Sequence, residues 1–224
     1  MLCVSPQRKK MGPEGKIASY AASLTLATML PIVAKLSPLL RDASGLQLIG
    51  TAAGVVLAST GLYKLLYSSI VGLLRANRWV KQRILGPSFV EGTWVGHFTG
   101  REGDIRFIVE YFEQDLTGLV IRGSSYTDQG ESHATWLAEN CRVDPDAGTL
   151  IYTYTCDVRS RSVTLQGIGS FALRRHSRNA APYEIEGYVA DLVDGTRLHA
   201  KEIKVANYAL ESRAAVAKAR QAVQ

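Results

Sequence analysis

Two long uncharged stretches near the N-terminus are the strongest pattern in the 224-residue chain. Residues 17–34 contain no charged side chain, and neither do residues 45–63. At about 1.5 Å per residue, a helix of this length crosses most of a hydrocarbon core of roughly 30 Å. The pattern predicts two transmembrane helices, at about 17–35 and 45–66, joined by a short loop. Pro31 is acceptable near the end of the first span.

Two other interpretations of these stretches are weaker. Arg8, Lys9 and Lys10 precede the first apolar stretch, which is also typical of a secretory signal peptide. However, a second span follows after a short loop, and no A-x-A cleavage motif ends the first. A buried helix pair in a soluble protein would need a helical partner domain, whereas the rest of the chain has the pattern of strands.

Basic residues are distributed unevenly around the two spans. The residues that flank the spans on the outer sides of the hairpin are Arg8, Lys9, Lys10, Lys16, Lys64, Arg75, Arg78, Lys81 and Arg83. The loop between the spans has Lys35 and Arg41, partly offset by Asp42. The positive-inside rule therefore predicts that both termini are cytoplasmic and that the loop lies on the other side.

The second span carries a face of small residues. Gly50 and Gly54 form a G-x-x-x-G match, and Ala58 extends it by one helical turn. Such a face lets helix backbones approach closely in lipid. It is a candidate packing surface either between the two spans of one chain or between chains, and the pattern fits both.

The segment 65–87 is typical of a helix that leaves the membrane. Trp79 stands where an interfacial aromatic anchor is expected, and the nearby basic residues suit anionic headgroups. Gly86 and Pro87 end the helix and mark a domain boundary. The predicted organisation is a cytoplasmic tail (1–16), the hairpin with its basic juxtamembrane helix (17–85), a β domain (88–206) and a C-terminal helix or tail (207–224).

From residue 90 onward the chain breaks into eight strand-like runs separated by turn-forming residues. Short connections of this kind predict an antiparallel meander, and eight strands suit a closed, up-and-down, lipocalin-like β-barrel. Gly92-Thr-Trp94 resembles the G-x-W element that opens lipocalin-like barrels. The resemblance implies that Trp94 is structural and closes one end of the barrel. Alternation places Leu150, Tyr152, Tyr154 and Cys156 on one face of the fifth run.

Composition and charge leave the function open. The net charge of +6 fits anionic lipid, and we do not expect a polymeric nucleic acid as partner. The three cysteines and four histidines lack metal-ligand spacing, so no metal or cofactor is predicted. No nucleophile elbow, P-loop or zinc-protease motif is present, so we expect a protein that is not an enzyme. Tyrosines and arginines suit a binding site, since aromatic faces stack nucleobases and arginines neutralise phosphates.

The order of elements resembles that of a known family. Two N-terminal transmembrane helices, a basic juxtamembrane helix and a barrel that opens on Val90-Glu-Gly-Thr-Trp-Val-Gly96 are similar to the two-transmembrane, β-strand-rich effectors of CBASS, a class of bacterial antiphage systems. The resemblance implies a multi-pass protein of the cell inner membrane. It also implies that the cytosolic barrel binds a cyclic dinucleotide, that the effector then self-associates, and that its spans disrupt the membrane, causing abortive infection.

The resemblance brings no short ligand-binding motif, so the candidate ligand-binding residues are chosen by their chemistry. They are Tyr111, Arg122, Trp136, Tyr152 and Tyr154, as stacking or phosphate-binding groups. The alternative function is a membrane-tethered, lipocalin-like carrier or sensor of a small apolar ligand, which predicts a mostly aliphatic barrel interior. A third interpretation is a structural membrane scaffold with a solid barrel.

Overall fold

The computed structural model describes residues 13–40, 43–100, 103–116, 118–159, 163–193 and 195–222. The chain divides into two compact units, residues 1–81 and 82–224. The first contains the long N-terminal helices and the second contains all the strands. Most of the predicted tail (1–16) lies outside the described residues, and the first helix begins at Pro13.

The N-terminal unit is a helical hairpin. Helix α1 spans Pro13–Leu36, a 3₁₀ turn follows at Ser37–Leu40, and helix α2 spans Gly45–Ala76. Ile17–Leu36 and Gly45–Leu74 are both long and apolar enough to cross a membrane. The hydroxyls of Thr25, Thr28, Thr51 and Thr60 each donate to the carbonyl four residues earlier at 2.8–2.9 Å. These polar groups are therefore satisfied within their own helix, as an apolar surrounding requires.

Helix α2 is longer than the predicted span of 45–66. It continues to Ala76, since no proline stands between Tyr67 and that position and Gly72 alone does not end it. The chain then takes an extended conformation at Asn77, with φ −113° and ψ 101°. A short helix α3 follows at Arg78–Leu85 and is the predicted juxtamembrane helix. Arg78 and Arg83 are exposed on it, whereas Lys81 is buried.

The small-residue face of α2 has no contact with α1. A Cβ added to Gly50 or Gly54 would meet no atom within 4 Å, and Ala58 is exposed. The face of α1 that is buried instead carries Ile17 and Ala21. Packing between the two helices in this structure therefore does not use the G-x-x-x-G match, and packing between chains remains a prediction.

The second unit contains the predicted eight-stranded antiparallel barrel. Its strands are β1 (Gly92–Thr99), β2 (Ile105–Gln114), β3 (Leu119–Tyr126), β4 (Ser132–Asp144), β5 (Thr149–Val158), β6 (Val163–Arg174), β7 (Glu184–Asp191) and β8 (Arg197–Ala206). Each strand pairs with the next, and β8 pairs with β1 to close the barrel. Closure removes the unpaired edges that an open sheet would expose.

One end of the barrel, where β1 begins, is filled by side chains. Trp94 is fully buried there, donates from Nε1 to the carbonyl of Val90 at 2.8 Å, and lies 5.3 Å from Phe112 between ring centroids. The Lys204 ammonium lies 4.4 Å from the centroid of the Phe89 ring, within the range of a cation–π contact. Trp94 therefore closes this end of the barrel, which is the structural role that the sequence indicated.

The segment that follows the barrel is a helix rather than an extended tail. Helix α4 (Ser212–Gln221) packs on the outer face of β1 and β2, where Ala215 and Ala219 are fully buried. They contact a cluster that includes Val95 and Val109. The outward-facing residues of β2 are therefore as apolar as the inward-facing ones, since both faces of that strand are covered.

Candidate functional site

The open half of the barrel encloses a cavity of about 740 Å³. It extends from Glu110 and Tyr152, midway along the strands, to Gly100, Thr127 and Val193 at the ends of the strands. The open end is opposite to the end at which the chain enters β1, because β1 runs from the filled end to Thr99. A barrel of eight strands has room for one small ligand, so the cavity is the candidate site of this molecule.

The cavity wall is mostly aliphatic, but it also carries aromatic rings, two of which lie over glycines on neighbouring strands. Trp136 faces its cross-strand partner Gly123 so closely that a Cβ on Gly123 would come within 2.0 Å of the indole. Tyr154 lies in the same way over Gly167, where the distance would be 2.3 Å. Each ring therefore covers backbone with one face and leaves its other face for the cavity.

Two glutamates lie side by side at the inner end of the cavity. Glu110 of β2 and Glu202 of β8 are each 1% exposed and both line it. Glu110 Oε1 accepts hydrogen bonds from Trp136 Nε1 at 2.6 Å and from the Tyr152 hydroxyl at 3.5 Å. The two carboxyl groups lie close enough to each other for one of them to hold a proton that the other accepts.

The two glutamates differ in how readily they ionise. Burial raises the pKa of Glu110 to about 7, although the hydrogen bonds that it accepts from Trp136, Glu202 and Tyr152 oppose the rise. The pKa of Glu202 is raised well above its usual range by burial, by the nearby charge of Glu110 and by its own hydrogen bond to Glu110. Trp136 Nε1 and the Tyr152 hydroxyl both donate to Glu110, and this geometry favours Glu110 as the partner that carries the negative charge.

The remaining charges of the cavity lie toward its mouth. Arg106 forms an ion pair with Asp104 at the end of β2, so each neutralises the other. Asp191 and His133 also line this outer part. Among the described lining residues the carboxyl groups outnumber the cationic ones, and the interior is acidic as a result.

The structure brings together three of the five predicted ligand-binding residues. Trp136, Tyr152 and Tyr154 all line the cavity. Tyr111 points outward instead, where its hydroxyl lies 3.4 Å from Ser212 Oγ of α4. Arg122 is also on the outer surface, half exposed and paired with Glu113 at 3.0 Å. Neither of these two belongs to the cavity, because alternation along β2 and β3 turns both side chains away from the interior.

Sequence reasoning missed Glu110 and Glu202. The available signal was a glutamate on the same strand face as buried apolar residues, with Ile108 and Phe112 beside Glu110 and Ala200 beside Glu202. Their proximity was not readable from the sequence, because β1 separates β2 from β8 and the two glutamates meet across Gly96. A Cβ on Gly96 would lie 2.8 Å from Cγ of Glu202 and closer still to the backbone carbonyl oxygen of Lys201, so only glycine fits at this position.

Metal ligands are not clustered in the part of the chain that the structure describes, where no group of three or more His, Cys, Asp or Glu side chains is placed to hold an ion. Cys141 and Cys156 are free thiols, and Cys156 lines the cavity. Cys3 lies outside the described residues.

Solved structures similar to this chain are barrels. A redesigned β-barrel, mFAP1, bound to DFHBI, is 17% identical over 53% of this chain and 97% of its own length, with a TM-score of 0.40. A de novo designed fluorescence-activating β-barrel is 16% identical over 53% of this chain and 94% of its own length, with a TM-score of 0.32. No family model matches the chain, and no curated protein matches it.

Proposed function

We propose that this protein is the membrane effector of a CBASS-type antiphage system. Its barrel binds a cyclic dinucleotide in the cytosol, the bound protein self-associates, and the two spans then disrupt the inner membrane and end the infection together with the cell. The protein acts by binding rather than by catalysis. A nucleotidyltransferase that makes the cyclic dinucleotide is expected to be encoded beside it.

The cavity is the observation that carries this proposal. It is open at one end, so a soluble messenger has a route into it, and the aromatic faces of Trp136 and Tyr154 suit the stacking of nucleobases. The carboxyl groups of Glu110 and Glu202 supply hydrogen-bond acceptors for the exocyclic amino groups of such bases. The phosphates of the ligand would remain near the mouth, away from these carboxyl groups and close to Arg106.

The N-terminal hairpin supplies a means of output. The unpacked face of Gly50, Gly54 and Ala58 is available for contacts between spans of neighbouring chains. Such contacts are weak one at a time, but they become effective when ligand-bound barrels cluster and raise the local concentration of spans. The cavity is thus the sensor and the hairpin the output.

The carrier of an apolar ligand is the less favoured function. It predicts a mostly aliphatic interior, which the outer part of the cavity has in residues such as Val163, Leu165 and Leu198. The inner end, however, has two buried carboxyl groups, a tryptophan N–H and a tyrosine hydroxyl. An apolar ligand would cover these groups without offering them a hydrogen bond, which costs binding free energy.

Binding is tested with the full-length chain in lipid nanodiscs, titrated calorimetrically with a panel of cyclic dinucleotides. At least one member should bind, and Trp136→Ala should weaken that binding about 10-fold or more, because stacking on one aromatic ring contributes about 1–3 kcal/mol per base. Arg122→Ala is the matched control, since its side chain lies outside the barrel. Absence of binding by every member of the panel would contradict the proposal.

Output is tested with the same protein in dye-loaded vesicles of bacterial lipid. Addition of the cyclic dinucleotide that binds should release the dye, and the Trp136→Ala variant should need a correspondingly higher concentration. Release of dye that does not depend on ligand would mean that the barrel does not control the spans.

The proposed orientation has its own test. Both termini are placed in the cytoplasm, so a fluorescent protein fused after Gln224 should fluoresce and alkaline phosphatase fused at the same position should be inactive. An enzyme fused within the loop at residues 41–44 should show the reverse behaviour. Active phosphatase at the C-terminus would place the barrel outside the cytosol and remove its access to cytosolic messengers.

A further inference from the structure

The inner end of the cavity is rich in hydrogen-bond acceptors and poor in donors. Glu110 and Glu202 together present four carboxyl oxygens. Apart from a proton that the two glutamates can share, Oε2 of each has no hydrogen-bond donor among the described residues. Ser125 Oγ, a hydroxyl that can accept one hydrogen bond while donating another, is also buried there without a partner in the described part of the chain. The donors that do reach the pair are Trp136 Nε1 and, at the long distance of 3.5 Å, the Tyr152 hydroxyl.

Buried acceptors left without donors are uncommon in folded proteins, because each costs the free energy of its lost hydration. A cluster of them that also lines a cavity points to a ligand that brings donors. The shared proton between the two glutamates does not change this conclusion, since a single proton uses few of the acceptor positions on four oxygens.

Charge narrows the class of ligand further. The ionised partner of the pair has no cationic side chain beside it on the described cavity wall, and Arg106 is already paired with Asp104 nearer the mouth. A phosphate or carboxylate placed at the inner end would meet a like charge in a medium of low dielectric constant, where repulsion is strong. The group that enters deepest is therefore an N–H donor that is neutral or cationic.

Shape selects a flat ring. The indole of Trp136 and the phenol of Tyr154 each cover a glycine with one face and leave the other for the cavity. Flat aromatic walls favour an aromatic ligand, because stacked rings gain free energy beyond the area that they bury. The carboxylate at the end of this slot accepts two parallel N–H bonds from one planar edge with good geometry.

We propose that the inner end of the cavity is a recognition site for a planar heterocycle that presents two adjacent N–H donors, the arrangement found on the Watson–Crick edge of guanine, with Glu110 as the acceptor. The site makes the barrel selective for guanine over adenine, which presents a donor next to an acceptor on that edge, and over hypoxanthine, which lacks the second donor. For a cyclic dinucleotide this inference rests on the proposed function, and it then requires at least one guanine in the messenger.

The first experiment measures nucleoside selectivity with the full-length chain in nanodiscs. Guanosine, inosine and adenosine are titrated in turn, and quenching of tryptophan fluorescence reports occupancy of the cavity. Guanosine should bind at least 10-fold more tightly than inosine and adenosine, because a hydrogen bond to an ionised acceptor is stronger than one between neutral groups. Equal affinity for guanosine and inosine, or no binding of guanosine, would overturn the inference.

The second experiment asks whether Glu110 causes the selectivity. Glu110→Gln keeps the oxygen that accepts from Trp136 but puts an N–H₂ group where the ligand donates, so the guanosine-to-inosine affinity ratio should fall toward one. Glu113→Gln on the outer surface is the matched control and should keep the ratio of the unaltered protein. An unchanged ratio in Glu110→Gln would overturn the role assigned to Glu110.

A third variant keeps the test decisive if Glu110→Gln does not fold. Glu202→Gln replaces the shared proton with an amide N–H and leaves Glu110 ionised, so guanosine selectivity should persist. Loss of selectivity in a folded Glu202→Gln protein would count against Glu110 as the acceptor. The outcomes also separate the two proposals. Tight binding of a cyclic dinucleotide that contains no guanine would overturn only the guanine site. Binding of guanosine without binding of any cyclic dinucleotide would overturn only the effector function.

Discussion

Trp136 lies flat against Gly123, its direct partner on the adjacent strand, and this contact aims its indole N–H at Glu110. A methyl group at position 123 would stand 2.0 Å from Cε2 of the indole, a distance that no relaxed structure contains. Gly123→Ala should therefore push Trp136 off the strand and break its 2.6 Å hydrogen bond to Glu110. Overpacking of this kind costs about 1–3 kcal/mol.

Tryptophan fluorescence and thermal melting of the barrel measure the effect of Gly123→Ala. We expect a red-shifted emission and a melting temperature lower by several degrees. Gly118→Ala is the control, because the nearest atom to an added Cβ there is 3.9 Å away and the backbone is not in the left-handed region. Normal emission and stability in Gly123→Ala would mean that Trp136 does not depend on the missing side chain at position 123.

The buried glutamate pair makes the barrel less stable as the pH rises. The pKa of Glu110 goes from 4.5 to about 7 on folding, and that of Glu202 rises further. Between these values the folded protein binds protons that the unfolded chain has released, so the free energy of unfolding falls with increasing pH. For Glu110 this contribution to stability is fully available below pH about 4.5 and is lost as the pH passes through about 7.

Melting temperatures measured from pH 5 to pH 8 test this dependence. The unaltered protein should lose stability across the range, and the double variant Glu110→Gln with Glu202→Gln should show a much flatter profile, since neither amide titrates. The difference between the two profiles isolates the pair from the other titratable groups of the chain. Parallel profiles would mean that the two carboxyl groups ionise at their ordinary pH inside the barrel.

The small-residue face of α2 should be needed for membrane damage and not for ligand binding. Gly54→Leu introduces a bulky side chain at a position with nothing within 4 Å in the single chain, so the hairpin itself accommodates it. Dye release from vesicles should decrease because spans of neighbouring chains can no longer approach closely. Val56→Leu, on a different face of the same helix and already exposed, is the control. If Gly54→Leu releases as much dye as the unaltered protein at the same protein concentration, the small-residue face is not needed for membrane damage.

Much of this fold is predictable from the sequence because its signals are local. The uncharged stretches define the hairpin, and strict alternation in β5 places Tyr152 and Tyr154 on one face with Leu150. Alternation alone does not say which face is inside. On β2 it gives no answer, because α4 covers the outer face and apolar residues stand on both faces. The Tyr111 side chain points toward α4, whereas Glu110 beside it faces the cavity.

The glutamate pair is out of reach of any local pattern. Glu110 and Glu202 are neighbours because the barrel closes between β8 and β1 and because Gly96 leaves space between them. The closure of the barrel and the position of Gly96 between the two glutamates both depend on how the strands are aligned with one another. That alignment is set by several turns together, so no single stretch of sequence reveals it. Arg122 is the opposite case, in which the residue type suggests a role that the register does not support. Its charge suits a phosphate, but its position on β3 directs the side chain to solvent.

Helix α4 should stabilise the barrel through two alanines. Ala219 is fully buried against the apolar outer face of β1 and β2, so Ala219→Glu would place a carboxylate where no cation of the described cluster receives it. We expect α4 to leave the barrel, the melting temperature to fall by about 5 °C or more, and trypsin to cleave at Lys218 or Arg220 sooner. Ala217→Glu makes the same chemical change on the exposed side of the helix and should melt like the unaltered protein. If both variants melt alike and resist trypsin equally, the packing of α4 contributes no stability to the barrel.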